Sequence, residues 1–149
     1  MRSERGLTLV LILALAGAPC AAGELIERVL ADVDGQPVLL SEVRLYETLK
    51  GLTQEGALET AIDARLMHRE AGRLPQASLA QDEAEAACAA VRRKAPLLVE
   101  DPGLCSLARR EAIVLKYVAF RFSGEDLDAQ IEAWVKELRA AASIRYNAP

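Results

Sequence analysis

The alternation of hydrophobic and polar positions predicts a short β-hairpin at the start of the folded region. Apolar residues recur at every second or fourth position over residues 25–33, so that they share one face of an extended segment. The pair Asp34 and Gly35 follows, which is typical of a tight hairpin turn, and residues 37–40 form the returning strand. Pro37 favours an edge position for this strand, because proline has no N–H to donate to a neighbour.

Helical periodicity dominates the rest of the chain. Leu58, Ile62 and Leu66, for example, recur at every fourth position and form one stripe. The pattern predicts helices over residues 41–50, 55–71, 79–95, 104–122 and 125–142, and a closing strand over residues 143–146. We therefore expect a mainly α fold of about five helices, with a small N-terminal β-hairpin joined by a short C-terminal strand. The two ends of the domain would then lie together.

Local signals mark where several of these helices begin and end. Ser41 and Thr53 are expected N-caps, since their side-chain oxygens can accept the first free N–H groups of a helix. Ser78, with Gln81 three residues later, has the spacing of a capping box. Gly51 is expected to end the first helix.

One predicted helix has an unusual face. Residues 112–120 are apolar on nearly every side except at Lys116, which predicts a helix that is either buried or covered by a partner. The last predicted helix carries a narrow apolar seam that includes Ile131 and Trp134.

The N-terminal segment has the layout of a secretory signal peptide over residues 1–23. A positively charged start precedes the apolar residues 7–18, a run too short to span a bilayer, and small residues follow. Cleavage after Ala22 or Gly23 fits this pattern, and it leaves residues 24–149 as one domain without a membrane span. The expected destination is a bacterial periplasm, where disulfides persist.

Composition narrows the classes of function. Hydrophobic residues make up 52% of the chain and aromatic residues 4%, which favours a packed helical core. The net charge of −4 gives no reason to expect nucleic-acid binding. One histidine and three cysteines exclude a multi-histidine metal site and a zinc ribbon, and the chain has no nucleotide-binding glycine loop. We therefore expect no cofactor and no metal.

Four segments, in order, resemble the SurA-type periplasmic chaperone family. They read GELIERVLADVDGQPVLLSEV (residues 23–43), ALETAIDARLMHREAGRL (57–74), REAIVLKYVAFRF (110–122) and WVKELRAAASIRY (134–146). The resemblance implies a SurA N-terminal-like chaperone domain, whose C-terminal helix and strand fold back onto its N-terminal part. It also implies an ATP-independent function, the binding of extended apolar segments of unfolded exported or outer-membrane proteins.

The chain departs from that family in one respect. Its members usually carry one or two parvulin-type prolyl isomerase domains between the long later helix and the C-terminal helix. Here only residues 123–125 separate the two predicted helices, and the single histidine, His68, lies inside another predicted helix. The isomerase domain therefore looks absent, and we expect a protein that is not an enzyme.

Two sets of residues are candidates for function. Six apolar residues are candidates for the lining of a client-binding groove, and each is also a plausible core residue: Leu49, Leu52, Met67, Tyr117, Phe120 and Trp134. Cys88 and Cys105 either form a disulfide between consecutive helices or remain reduced thiols. The alternative functions are a dedicated protein-binding module and a structural homodimer, formed by domain swapping, in which a second copy covers residues 112–120.

The signal-peptide prediction can be tested directly. When a secreting bacterium expresses the full chain, we expect the exported protein to begin at Gly23 or Glu24. The intact mass and the N-terminal sequence of the purified protein measure this. Leu11→Arg, which interrupts the apolar run, should leave the chain unprocessed. An exported protein that retains Met1 would contradict the prediction.

Overall fold

The computed structural model describes residues 27–147, so the predicted signal peptide lies outside the described residues. Strands and helices follow one another in the order β-β-α-α-α-α-α-β, with two short 3₁₀ turns. The strands are β1 (Val29–Val33), β2 (Gln36–Leu39) and β3 (Ile144–Tyr146). The helices are α1 (Leu40–Lys50), α2 (Gln54–Ala71), α3 (Gln81–Lys94), α4 (Leu104–Arg121) and α5 (Leu127–Ala141), and the 3₁₀ turns are Pro75–Ala77 and Pro96–Leu98. The predicted fold class, mainly α with a small β part, is confirmed.

The three strands form one antiparallel sheet in the order β2-β1-β3. Asp34 and Gly35 make the predicted hairpin turn, with φ values of 50° and 84°, in the left-handed region that tight hairpin turns require. Pro37 lies on β2, at the edge of the sheet as predicted. The closing strand pairs with β1, where Ile144 lies opposite Val33, so the predicted meeting of the two ends of the domain is confirmed.

The first two predicted helix boundaries have different outcomes. Gly51 ends α1 in the left-handed conformation, with φ 64°, and the Thr53 hydroxyl caps α2 by accepting the N–H of Gly56 at 3.2 Å. The prediction of Ser41 as an N-cap is wrong, because α1 already begins at Leu40, directly after β2. The N–H of Ser41 instead donates to the Glu27 carboxylate at 3.1 Å.

The predicted capping box at Ser78 is also wrong. The Ser78 hydroxyl donates to the Pro75 carbonyl at 2.7 Å and thereby closes the 3₁₀ turn that precedes α3. Helix α3 begins at Gln81, and there the Glu83 carboxylate accepts the N–H of Ala80 at 2.8 Å. The N-terminus of α3 is therefore capped by a glutamate that reaches back to the N–H of Ala80, and not by the Ser78 hydroxyl.

The hydrophobic core has two parts. The larger part lies where the hairpin, α1, α2 and the first turns of α4 meet, and its fully buried side chains include Val33, Val38, Val43, Tyr46, Ile62, Leu66, Leu104 and Leu107. The smaller part is an aromatic cluster, in which the rings of Tyr117 and Trp134 stack at 5.0 Å between centroids, with Phe122 5.5 Å from Trp134. This cluster joins α4 to α5.

Helix α4 is less buried than its sequence predicts. Of residues 112–120 only Tyr117 is buried, while Leu115 and Phe120 are 68% and 66% exposed. Of the two predicted alternatives, burial within the chain is therefore wrong for the described residues, and cover by a partner stays a prediction. The reason is that α2 and α3 pack against α4 and leave another side of it open. Among the described residues, no helix is long and apolar enough to span a membrane.

A disulfide joins the two consecutive helices α3 and α4. It connects Cys88 and Cys105, whose Cα atoms are 4.6 Å apart across a sequence separation of 17. A crosslink over a loop of this length stabilises a fold by about 3 kcal/mol in the chain-entropy description, since it restricts the unfolded chain.

Arg139 attaches α5 to α2, because its guanidinium bonds to both Glu59 (2.8 Å) and Asp63. Replacing Arg139 with Met should lower the free energy of unfolding by about 2 kcal/mol, since two half-buried carboxylates lose their shared cation. Arg145→Met is the matched control: Arg145 is 73% exposed and makes one 3.2 Å pair with Asp32, so its loss should cost about 0.5 kcal/mol at most. Urea unfolding followed by circular dichroism compares the two, and equal losses would contradict this role of Arg139.

Candidate functional site

An open groove of about 620 Å³ lies between α1, α3 and α4. Its walls are the last turn of α1, one face of α3, the turn Pro96–Leu98 and the middle of α4. Apolar side chains make up most of this lining: Leu49, Ala87, Ala90, Val91, Ala95, Pro96, Leu97, Leu98, Ala108, Ala112 and Leu115. We call this surface the apolar groove.

Small residues shape the apolar groove. Helix α3 contributes Ala87 and Ala90, and α4 contributes Ala108 and Ala112. Because these side chains end at Cβ, the two helices can pack closely while the surface above them stays open. Val91 is the largest apolar side chain that α3 contributes to the lining, and it is partly buried against the main core.

Two leucines give the apolar groove its exposed surface. Leu97, in the turn after α3, is 93% exposed, and Leu115, on α4, is 68% exposed. Both line the groove. Large apolar side chains that stay open to solvent around one concavity are characteristic of an interaction site, because their burial by a partner is favourable.

An ion pair stands at one end of the apolar groove. Lys50 and Glu111 approach to 3.4 Å, and both residues, together with Leu115, also line a smaller cavity of about 350 Å³. A larger share of the residues that line the smaller cavity is polar or charged, among them Thr60, Asp63, Arg65 and Arg110. This cavity lies between α1, α2 and α4. The two concavities are therefore neighbours that share the Lys50–Glu111 pair as a border.

A buried carboxylate organises the charges behind the smaller cavity. Glu42 of α1 is 9% exposed and pairs with Arg65 of α2 and with Arg110 of α4, the latter at 2.9 Å. Burial, together with the charges of Glu111 and Glu42, raises the pKa of the Tyr46 hydroxyl. The cluster joins three helices and holds α1 and α4, two walls of the apolar groove, against α2.

The six candidate lining residues do not form one surface. Leu49 lines the apolar groove and Met67 lines the smaller cavity. Leu52 and Phe120 are exposed, but they do not line either concavity as the structure describes them. Tyr117 and Trp134 lie in the aromatic cluster, where they are 5% and 7% exposed.

Leu97 and Leu115, the most exposed large apolar residues of the apolar groove, are not among the candidates from the sequence. The sequence contains a signal for Leu97, since two consecutive leucines follow the helix-breaking Pro96 between the predicted helices 79–95 and 104–122. Leu115 lies within the apolar run 112–120, but periodicity cannot identify the open side of a helix that is apolar all round.

Two further findings concern possible metal ligands and similarity to known proteins. Within residues 27–147 no group of three or more histidine, cysteine, aspartate or glutamate residues lies close enough together to hold a metal ion. No family model matches the chain, and no curated protein or solved structure is similar to it at a significant level. The functional interpretation therefore depends on the geometry of the site.

The surroundings of His68 make the stability of the folded protein depend on pH. Burial, with the positive charges of Arg110 and Arg65, lowers the pKa of this imidazole from its ordinary value of 6.5. The folded protein thus favours the neutral ring, and below pH 6.5 the unfolded chain binds the proton more readily. The stabilising contribution is complete above the unfolded pKa, and it decreases as the pH falls.

We expect the free energy of unfolding to decrease between pH 7.5 and 5.5, with a smaller decrease in His68→Gln, which cannot titrate. Urea unfolding at several pH values in this range measures both proteins. Identical pH profiles for the wild type and His68→Gln, or a wild type that becomes more stable in acid, would contradict the assignment.

Proposed function

We propose that this protein is a chaperone that binds extended apolar segments of unfolded polypeptides, without ATP and without catalysing a reaction. The single observation that carries the proposal is the open apolar groove, with Leu97 and Leu115 exposed at its edge. A holdase needs such a surface, because it acts by burying the apolar side chains that would otherwise cause its client to aggregate.

The lining of the apolar groove suits clients of varied sequence. The lining includes Ala87, Ala90 and Ala112, whose short side chains place few constraints on the shape of a bound side chain. Different aliphatic or aromatic side chains can therefore lie on this apolar surface. Burial of one large apolar side chain contributes about 1.5–3 kcal/mol. Two or three such contacts amount to about 3–9 kcal/mol, from which the entropy cost of association is subtracted, so that the net binding is weak. Binding of this strength is reversible.

The polar edge of the groove suits an extended client. Thr48, Lys50 and Lys94 line the same concavity as the apolar residues. An extended segment exposes its backbone carbonyl groups, and hydroxyl and ammonium donors at the edge can satisfy them while the apolar side chains are buried. A client in this orientation would direct alternate side chains into the groove.

Three observations support a periplasmic site of action. The N-terminal sequence has the layout of a signal peptide, and the described chain contains a disulfide, which an oxidising compartment preserves. The resemblance to SurA-type chaperones agrees with both. The proposed clients are therefore exported proteins that cross the periplasm unfolded, including those bound for the outer membrane.

Aggregation assays test the proposal most directly. The protein, purified from cells that express the full chain, is mixed with a chemically unfolded outer-membrane β-barrel protein and, separately, with an unrelated unfolded protein. Light scattering should show suppression of both at near-stoichiometric amounts. Suppression of neither would contradict the chaperone proposal, and binding of a single partner would favour the dedicated module.

Two matched variants locate the binding surface. Leu115 and Phe120 lie on the same helix with nearly equal exposure, but only Leu115 lines the apolar groove. Leu115→Gln should weaken client binding about five- to tenfold, as the loss of about 1 kcal/mol of apolar burial implies, and Leu97→Gln should do the same. Phe120→Gln should leave client binding unchanged.

Fluorescence anisotropy of a labelled apolar peptide measures these affinities, and thermal unfolding verifies that each variant is folded. If Phe120→Gln weakens binding and Leu115→Gln does not, the client lies on the opposite side of α4. If Phe120→Gln instead dissociates a stable dimer that does not suppress aggregation, the structural homodimer replaces the chaperone.

A further inference from the structure

The Cys88–Cys105 disulfide lies in a second, shallower depression on the surface of the α3–α4 pair. Glu85, Cys88, Ala89, Arg92, Arg93, Cys105 and Arg109 line this depression. The apolar groove uses different residues of the same two helices, such as Ala87 and Val91 of α3. Both cysteines are only partly buried, so a small molecule can reach the sulfur atoms from this side.

Three arginines beside the disulfide have no charged partner. Arg92, Arg93 and Arg109 are exposed, and within residues 27–147 none of them makes a salt bridge or a side-chain hydrogen bond. Most other arginines of the described chain do, including Arg65, Arg69 and Arg139. The single carboxylate in the lining, that of Glu85, accepts a hydrogen bond from the Gln81 amide at 2.9 Å.

This arrangement of charge favours one kind of reaction at the disulfide. Unpaired guanidinium groups attract anions, and positive charge close to a sulfur atom stabilises the thiolate that leaves when a disulfide is attacked. A thiol that itself carries negative charge gains from both effects, because it is concentrated at the site and reacts there with a good leaving group.

The disulfide also has an unusual mechanical role. Helix α3 contributes no fully buried residue among those described, although Val91 is partly buried against the core. Besides the disulfide, an ion pair attaches α3 to α4 near the N-terminal end of α3, where Glu83 and Lys116 approach to 2.8 Å. Cys88 is therefore the covalent attachment in the middle of a helix that has little apolar burial of its own, and this helix forms one wall of the apolar groove.

We infer that the Cys88–Cys105 disulfide is a thiol-exchange site for anionic thiols, and that its reduction releases α3 from the wall of the apolar groove. The inference rests on the proposed function only where it calls that groove the client site. Reduction would thus couple the redox state of the surroundings to client binding.

The exchange has two balanced steps. The thiolate of the incoming thiol attacks one sulfur of the disulfide, forms a mixed disulfide with it, and releases the other cysteine as a thiolate. A second thiol molecule attacks the mixed disulfide, which leaves both cysteines reduced and joins the two thiol molecules as an external disulfide. Two electrons pass from the thiols to the protein disulfide, and the released thiolates take protons from water.

A series of small thiols of similar size tests the charge selectivity. The protein from cells that express the full chain is treated with mercaptoethanesulfonate, mercaptoethanol or cysteamine at equal thiolate concentration. Peptide mapping by mass spectrometry follows alkylation of Cys88 and Cys105. We expect the anionic thiol to react about tenfold faster than the cationic one at low ionic strength, and added salt to reduce the difference.

Variants assign the selectivity to the arginines. The triple variant Arg92→Gln, Arg93→Gln and Arg109→Gln should remove most of the difference between the anionic and cationic thiols. Arg44→Gln is the control, since Arg44 is also an exposed arginine without an ion pair in the described part of the chain, but lies on α1. Equal rates for all three thiols, or the same selectivity in the triple variant, would overturn the inference.

Hydrogen exchange tests the release of α3. Reduction of the wild type, or the double variant Cys88→Ser and Cys105→Ser, should speed amide exchange over Gln81–Lys94 at least about tenfold more than over α2. Unchanged exchange in α3 would overturn the mechanical part of the inference.

Client binding distinguishes the two proposals. Loss of peptide binding on reduction supports the link between the disulfide and the groove. If no client binds in either redox state while thiol selectivity and α3 exchange behave as expected, the chaperone proposal fails and the thiol-exchange site stands. If clients bind equally well before and after reduction, the groove does not depend on the disulfide and the inference is overturned.

Discussion

The return of the C-terminal strand to the hairpin is the constraint on which the rest of the structure depends. Asp34, in the hairpin turn, makes two hydrogen bonds with the backbone of Ser143. Its N–H donates to the Ser143 carbonyl at 2.9 Å, and its carboxylate accepts the Ser143 N–H at 2.7 Å. The same carboxylate pairs with Arg69 of α2. The Arg69 guanidinium and the Ser143 N–H together lower the pKa of the Asp34 carboxyl. One aspartate therefore joins the hairpin, the start of β3 and the central helix.

The helices differ in the contacts that attach them to the rest of the fold. Helix α2 contacts α1, α4, α5 and the hairpin, and its buried face carries Ile62 and Leu66. The Glu42 cluster attaches α1 and α4 to it, and Arg139 attaches α5. Helix α3, in contrast, packs on α4 with alanines and a disulfide. The apolar groove lies on the border between the helices that bury large side chains and α3, which has no fully buried residue.

This arrangement explains how an exposed apolar surface persists without collapse. The core can close without Leu97 and Leu115, because the hairpin, α1, α2 and the start of α4 already bury their own apolar faces. Tyr117, Phe122 and Trp134 close the second part of the core. The two leucines remain outside both clusters and line a concavity to which α3 and α4 also contribute alanines. Their surface is therefore available to a partner.

The sequence by itself determined the features that depend on neighbouring residues. The Asp34-Gly35 turn, the Thr53 cap and the Gly51 helix end each involve contacts within a few positions, so the local pattern predicted them. The caps at Ser41 and Ser78 were predicted wrongly, because α1 begins one residue earlier, at Leu40, and the Ser78 hydroxyl donates to the Pro75 carbonyl in the turn before α3.

Only the tertiary structure decided which apolar side chains are buried. Trp134 and Leu115 are both large apolar residues of amphipathic or apolar helices, and their sequence surroundings do not distinguish them. Trp134 is buried because Tyr117 of α4 stacks on it and Phe122, directly after α4, packs against it, whereas Leu115 lines the open groove beside the short side chains of α3. Burial depends on which distant segments meet, and a periodic pattern contains no information about that meeting.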